Sequence, residues 1–123
     1  MAQWPFHAHD VGKIGEVKAV EYLIKSGYRI REKNYRCRSG EIDIVAERSE
    51  YIVFVEVKTR IATGDHISPL ISITKAKRNR IRKLGEIFLN HRKIDGYQPR
   101  FDVIGITFTD ESRFELEHIE NAF

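Results

Sequence analysis

From Tyr51 to Val57 every position is apolar except Glu56. A run that short and that apolar reads as a central strand covered on both faces. The stretch before it alternates instead. Ile42, Ile44 and Ala46 fall on one face, and Glu41, Asp43 and Val45 on the other. A hairpin closed at Ser49-Glu50 would oppose Asp43 to Glu56 and Glu41 to Lys58. This turn lacks the Asn-Gly or Asp-Gly signature, so turn chemistry does not secure the register, and a one-residue slip would move Asp43 to the other face. Upstream, Tyr28 to Cys37 reads as a strongly charged strand bending near Lys33-Asn34, with Ser39-Gly40 turning the chain into the hairpin.

Helical spacing appears twice. Ile14, Val17, Val20, Leu23 and Ile24 recur as one stripe, which predicts a first helix capped by Asp10, running to about Ser26 and ended by Gly27. A second helix is expected from a Thr74 cap to about Arg92, packed through Ile81, Leu84, Gly85 and Ile87 or Phe88. Between the hairpin and this helix, Ile61 to Ile73 reads as a mobile loop. Arg100 to Phe108 then predicts a strand with Asp102, Ile104, Ile106 and Phe108 on one side, followed by a last short strand from Arg113 to Ile119. Asp102 is read as a structural partner of Arg100 or a neighbouring strand, and His118 as a packing or hydrogen-bonding residue. The order helix, three antiparallel strands, helix, strand, strand describes an α/β domain with helices packed on a mixed sheet.

Composition places limits on this picture. A chain of 123 residues, 41% hydrophobic and 32% charged, fits one globular domain, with residues 1–9 a loosely held start. No run approaches the roughly 20 apolar residues of a membrane span. The start has neither the basic nor the apolar stretch of a signal peptide, and the single Cys37 gives no internal disulfide and no zinc pattern, so the expected location is cytoplasmic. His7 and His9 are read as tail residues rather than metal ligands. The net charge of +3 is unevenly spread, because eight basic residues and one acid lie between Thr74 and Lys93. That polarity suggests a basic surface for polyanions beside a more acidic body.

Two chemical readings follow. Asp43 and Glu56 opposed across a partly buried hairpin, with Lys58 alongside, suggest a site for a divalent cation, since like charges so placed repel. The plainer alternative is a polar sheet face with a cross-strand ion pair. Lys75, Arg78 and Arg82 share one helix face. Arg36 and Arg38 arrive beside Glu41 and Asp43, where they would contact phosphates or simply lie on the surface.

Asp43, followed thirteen residues on by Glu56-Val57-Lys58, resembles the motif of the PD-(D/E)xK nuclease superfamily, although Ile42 stands where that motif often has Pro. More closely, Gly40-Glu-Ile-Asp-Ile-Val-Ala with Phe54-Val-Glu-Val-Lys-Thr-Arg is similar to the YraN family of small bacterial proteins, itself similar to archaeal Holliday junction resolvases. Gly15-Glu16, Asn34-Tyr35-Arg36, Arg100-Phe-Asp-Val and the ending His118-Ile-Glu-Asn-Ala-Phe extend the likeness over nearly the whole chain. The resemblance implies a restriction-endonuclease-like core and a metal-dependent endonuclease acting on DNA, structured or branched DNA included. Mg²⁺ or Mn²⁺ would be held by Asp43, Glu56 and Glu16, with the Val57 carbonyl, and Lys58 would act on the attacking water. Arg36, Arg38, Arg60, Lys75, Arg78 and Arg82 would hold phosphates, and a homodimer is implied by analogy. A nucleic-acid-binding module without turnover, or a scaffold for a DNA-processing partner, are the alternatives.

Overall fold

A computed structural model describes residues 8–62, 64, 67–110 and 112–123. The elements follow the expected order: α1 (Ala8–Lys25), β1 (Arg29–Cys37), β2 (Gly40–Arg48), β3 (Tyr51–Ile61), α2 (Lys75–His91), β4 (Gln98–Phe108) and β5 (Phe114–Ile119). The five strands form one sheet in sequence order. Only β3 and β4 run parallel, because α2 returns the chain across the sheet between them, whereas tight turns join the antiparallel pairs. The result is a mixed α/β sheet flanked by two helices, compatible with a nuclease-like core. Among the described residues no helix is long and apolar enough to cross a membrane.

Each helix covers one face. Under α1 lie Leu23, Ile44, Ala46, Val53, Val55, Ile104 and Ile106. Under α2 lie Tyr35, Ile42, Val45, Ile52, Phe54, Leu84 and Phe88. Successive residues of β3 feed opposite clusters, which is why its sequence is apolar throughout. Gly85 brings α2 close to the sheet, since a Cβ there would stand 3.0 Å from the Phe101 ring.

Several expectations are corrected. Helix α1 begins at Ala8, so Asp10 lies in its first turn rather than capping it. Its inner stripe is Val11, Gly15, Ala19 and Leu23, whereas Val17 and Ile24 are each 56% exposed. Helix α1 therefore turns a different face to the sheet, with Gly15 rather than a large side chain at the contact with β3. Gly27 ends the helix at φ +90° as expected. His7 lies outside the described residues, as does the side chain of His9. Of the expected loop, Thr63, Asp65 and His66 also lie outside them. The rest is shorter than anticipated, because β3 continues to Ile61 and Pro69–Ser72 forms a 3₁₀ turn started by Ser68. Thr74 does cap α2, its hydroxyl accepting from the Lys77 N–H at 3.2 Å.

The hairpin register is the expected one, from Arg48↔Tyr51 through Ile44↔Val55. There the β2–β3 ladder stops, while β2 stays paired with β1 as far as Gly40↔Cys37. The sheet therefore forks, with Asp43 at the crotch. Asn34, at φ +53°, kinks β1 where the bend was anticipated. Beyond the fork the simple alternation fails, and Ile42 joins the α2-side cluster instead of following Ile44. Glu41 accordingly pairs with Arg36 across β1, at 3.2 Å, and not with Lys58.

Candidate metal and nucleic-acid site

The fork gives Asp43 an unusual neighbour. Past the last ladder pair, the Val57 N–H donates to Asp43 Oδ2 at 2.8 Å, so a side-chain oxygen stands in for a strand carbonyl. The same bond makes Val57 known here through its amide, whereas the resemblance invoked its carbonyl. Burial pushes the Asp43 carboxyl up to about 7, and the charges of Glu56, Glu16 and Glu41 add to that rise while the Val57 bond opposes it. Glu56 is raised as well, first by burial and with Glu41 contributing, against the lowering influence of Lys58 and Lys77. Lys58 Nζ stands 3.5 Å from Glu56 Oε1. Two partly buried carboxylates, both raised by burial and by neighbouring acids, form a site that gains from any bound positive charge.

Glu16 reaches this region from α1 because Gly15 lies directly on β3. A Cβ at position 15 would overlap Thr59 Oγ1 and stand 2.9 Å from its Cγ2. Burial raises the Glu16 carboxyl, and Glu41 adds to this, against Lys33 and Arg36. With its amide nitrogen turned to the acids, as the hydrogen-bond network requires, Asn34 donates to Glu16 Oε1 at 2.9 Å and to Glu41 Oε1 at 3.2 Å.

Asp43, Glu56 and Lys58 thus meet at the fork, and Glu16 lies within electrostatic reach of Asp43. Among the described residues, however, no three His, Cys, Asp or Glu side chains close into a ready-made metal cage. Mg²⁺ does not need one, since it keeps several waters and is commonly held by one or two carboxylates. The Asp43–Glu56 donor set fits such an ion.

Three further residues act on this region, although the sequence reading gave Glu41 only as the partner of Lys58, Asn34 only as a bend and family-motif residue, and Lys77 only as one base of α2. Asn34 and Glu41 bracket Glu16 through the kinked strand. Lys77 acts electrostatically on Glu56 from the first turns of α2, where its Nζ donates to the Ser72 carbonyl at 3.1 Å. Only the cap at Thr74 signalled where that turn would lie.

The expected phosphate contacts are spread more widely. Lys75 and Arg82 are exposed on α2, Arg82 bonding Asn79 Oδ1 at 3.4 Å, while among the described residues the Nε of half-buried Arg78 has no partner. Arg38 is exposed at the β1–β2 turn. Arg36 is also exposed but is engaged by Glu41. Arg60 sits far along β3, with its Nε 3.5 Å from Thr107 Oγ1.

Asp102 belongs elsewhere. Fully buried under α1, it receives both arms of Arg100 (3.0 and 2.8 Å), the Asn121 N–H (2.9 Å) and His118 Nε2 (2.7 Å). His118 Nδ1 in turn meets the Tyr22 hydroxyl at 2.8 Å. This buried network ties α1, β4, β5 and the C-terminal residues together.

Related proteins carry the same arrangement of sequence. Residues 15–106 match the uncharacterised protein family UPF0102. A UPF0102 protein of Geobacter metallireducens is 46% identical over 95% of this chain and 94% of its own. One from Persephonella marina is 48% identical over 91% of each, and one from Syntrophus aciditrophicus is 43% identical over 91% of this chain and 87% of its own. On a match of this extent, the chain belongs to the UPF0102 family, the YraN family that its motifs resemble.

Proposed function

We propose that this protein is a metal-dependent endonuclease that hydrolyses phosphodiester bonds in DNA. The observation that carries the reading is the forked sheet, where Asp43, tied to the Val57 N–H at 2.8 Å, lies within electrostatic reach of Glu56, with Lys58 3.5 Å from Glu56. A divalent cation, Mg²⁺ or Mn²⁺, bound by Asp43 and Glu56 and approached by Glu16, would supply Lewis-acid stabilisation of the phosphate and lower the pKa of a bound water. The Val57 N–H fixes the Asp43 carboxylate, so its second oxygen is left to face a ligand. Lys58 offers a cation to orient the attacking water or offset charge developing on the phosphate. Lys77 adds a second positive group on the same side of Glu56. The exposed bases of α2 position the DNA backbone.

Cleavage of plasmid and four-way-junction DNA in Mg²⁺ or Mn²⁺ tests the reading. Asp43→Asn keeps an acceptor for the Val57 N–H, and Lys58→Ala leaves the core untouched. Each is expected to lower cleavage by about 10²-fold or more while DNA affinity is retained. Full activity in both variants would remove these roles.

A second reading, a nucleic-acid-binding module without turnover, rests on the basic residues of α2 alone, Lys75, Arg78 and Arg82. It predicts salt-sensitive DNA or RNA binding and no hydrolysis with either metal.

A further inference from the structure

Helix α1 does not close fully against the kinked strand β1. A cleft of about 360 Å³ opens between them. That is near the lower end of the range for small-molecule sites, about 300–1,000 Å³, and has room for one nucleotide but not for a duplex. One wall is apolar, formed by Val17, Val20 and Ile44. Val17 is 56% exposed at this wall, although the pattern of the helix had marked it for the core.

The cleft also carries polar groups. Glu16 and Asn34 line it and are hydrogen-bonded to one another, and Glu16 lies within electrostatic reach of Asp43 at the fork. Lys13 and Lys33 line it as well, both exposed. Among the described residues neither makes an ion pair, although Lys33 stands within electrostatic reach of Glu16. Glu21, the other acid of the lining, has a lysine partner, Lys18, at 3.8 Å. The cleft therefore combines an apolar wall, the hydrogen-bonding groups of Glu16 and Asn34, and two uncommitted ammonium groups.

We propose that this cleft receives an unpaired deoxynucleotide next to the phosphate to be cut. Its base would lie against Val17 and Val20, with buried Ile44 behind them, its edge would meet Asn34 and Glu16, and its phosphate would meet Lys13 and Lys33. The assignment rests on the DNA-hydrolysis reading above and narrows its substrate to DNA with a single-stranded nucleotide at a fork, flap or junction. A continuous duplex keeps its bases stacked and cannot fill the cleft without paying to unstack one.

The test uses the full chain carrying Asp43→Asn, so that binding is read without cleavage. Anisotropy compares a labelled blunt duplex with the same duplex bearing a single-stranded tail. The tailed DNA is expected to bind about fivefold more tightly, the equivalent of one modest apolar contact. Val17→Asn and Lys33→Gln should each remove that preference and leave blunt-duplex affinity nearly unchanged. Deoxyadenosine monophosphate, titrated into labelled protein, should move the backbone NMR signals of Val17, Val20, Asn34 and Ile44. Equal affinity for the two DNAs, a preference that survives both substitutions, or nucleotide-induced shifts elsewhere would overturn the assignment. Loss of all DNA binding by the parent would instead sink the nuclease reading itself, so the two failures are distinct. Both substituted positions are exposed, and the nucleotide titration needs no variant at all.

Discussion

Gly15 shows how one missing side chain places the candidate site. Glycine in a helix interior costs about 1 kcal/mol relative to alanine, yet here it lets α1 rest on Thr59 of β3. The next residue, Glu16, is thereby delivered toward Asp43. Gly15→Ala would gain helix propensity but drive a methyl into Thr59, and overpacking of this kind costs about 1–3 kcal/mol. The expected outcome is a lower melting temperature by calorimetry, restored in part by Thr59→Ala, which removes both the hydroxyl and the Cγ2 methyl that the new Cβ would meet. An unchanged melting temperature would mean that α1 can ride off the sheet at no cost. The family likeness includes Gly15 but gives no physical reason for it; the packing does, because a Cβ at Gly12 would meet nothing within 4 Å whereas one at Gly15 would overlap Thr59. Asp43 and Glu56 were legible for the opposite reason. Glu56 interrupts an otherwise apolar stretch. Centring the hairpin between Ser49 and Glu50, the register observed from Arg48↔Tyr51 to Ile44↔Val55, directs Asp43 toward it, although turn chemistry did not secure that register.

At the scale of elements, the strands β2 and β3 and the helix α2 followed from period and capping, because each buries a regular face or is started by a side-chain cap. What did not follow was the fork. Strand separation past Ile44↔Val55 depends on β1 kinking at Asn34 and on Leu84 of α2 packing beside Gly40. Those are tertiary contacts with no periodic signature, so Ile42 was assigned to the wrong face and Glu41 to the wrong partner. The β4–β5 unit carries the clearest pH prediction. Burial alone would raise the Asp102 carboxyl, but His118, Arg100 and the Asn121 N–H together outweigh it and hold the group below its ordinary value. A carboxyl depressed in the folded state adds stability above its unfolded pKa of about 3.9, and that stability is lost as pH falls through the folded value. Wild-type stability should therefore drop steeply below about pH 4. Asp102→Asn should lose about 3 kcal/mol at neutral pH, the lower end for a broken buried pair, since half-buried Arg100 keeps only the exposed Glu120 at 3.7 Å as a counter-charge, and its acid limb should be flatter. Urea titrations from pH 3 to 7 would check both slopes. Parallel acid limbs would show that other carboxylates govern the acid transition.

Over the whole molecule, charge separates the candidate chemistry from the candidate grip. The acids Glu16, Glu41, Asp43 and Glu56 gather at the fork, whereas Lys75, Lys77, Arg78, Arg80, Arg82 and Lys83 crowd the first half of α2 with no acid among them before Glu86. Such a division suits a polyanion that the helix attracts and the fork accepts only through a cation. Contacts from these bases to phosphates release counterions, so log K should fall linearly with log salt, by about 0.9 for each duplex phosphate neutralised. Replacing Lys75, Arg78 and Arg82 together by Gln should then flatten the slope by as much as about 3 and weaken binding equally for unrelated sequences. The cleavage rate at saturating DNA should change little, because none of the three is placed among the acids. That split separates positioning from chemistry: a triple variant with an unchanged slope would show that DNA lies on another face, and one that binds normally but no longer cuts would place one of these residues at the reacting phosphate. A scaffold that docks an acidic protein through the same helix predicts no DNA binding even at low salt, so the one titration distinguishes all three uses of this surface.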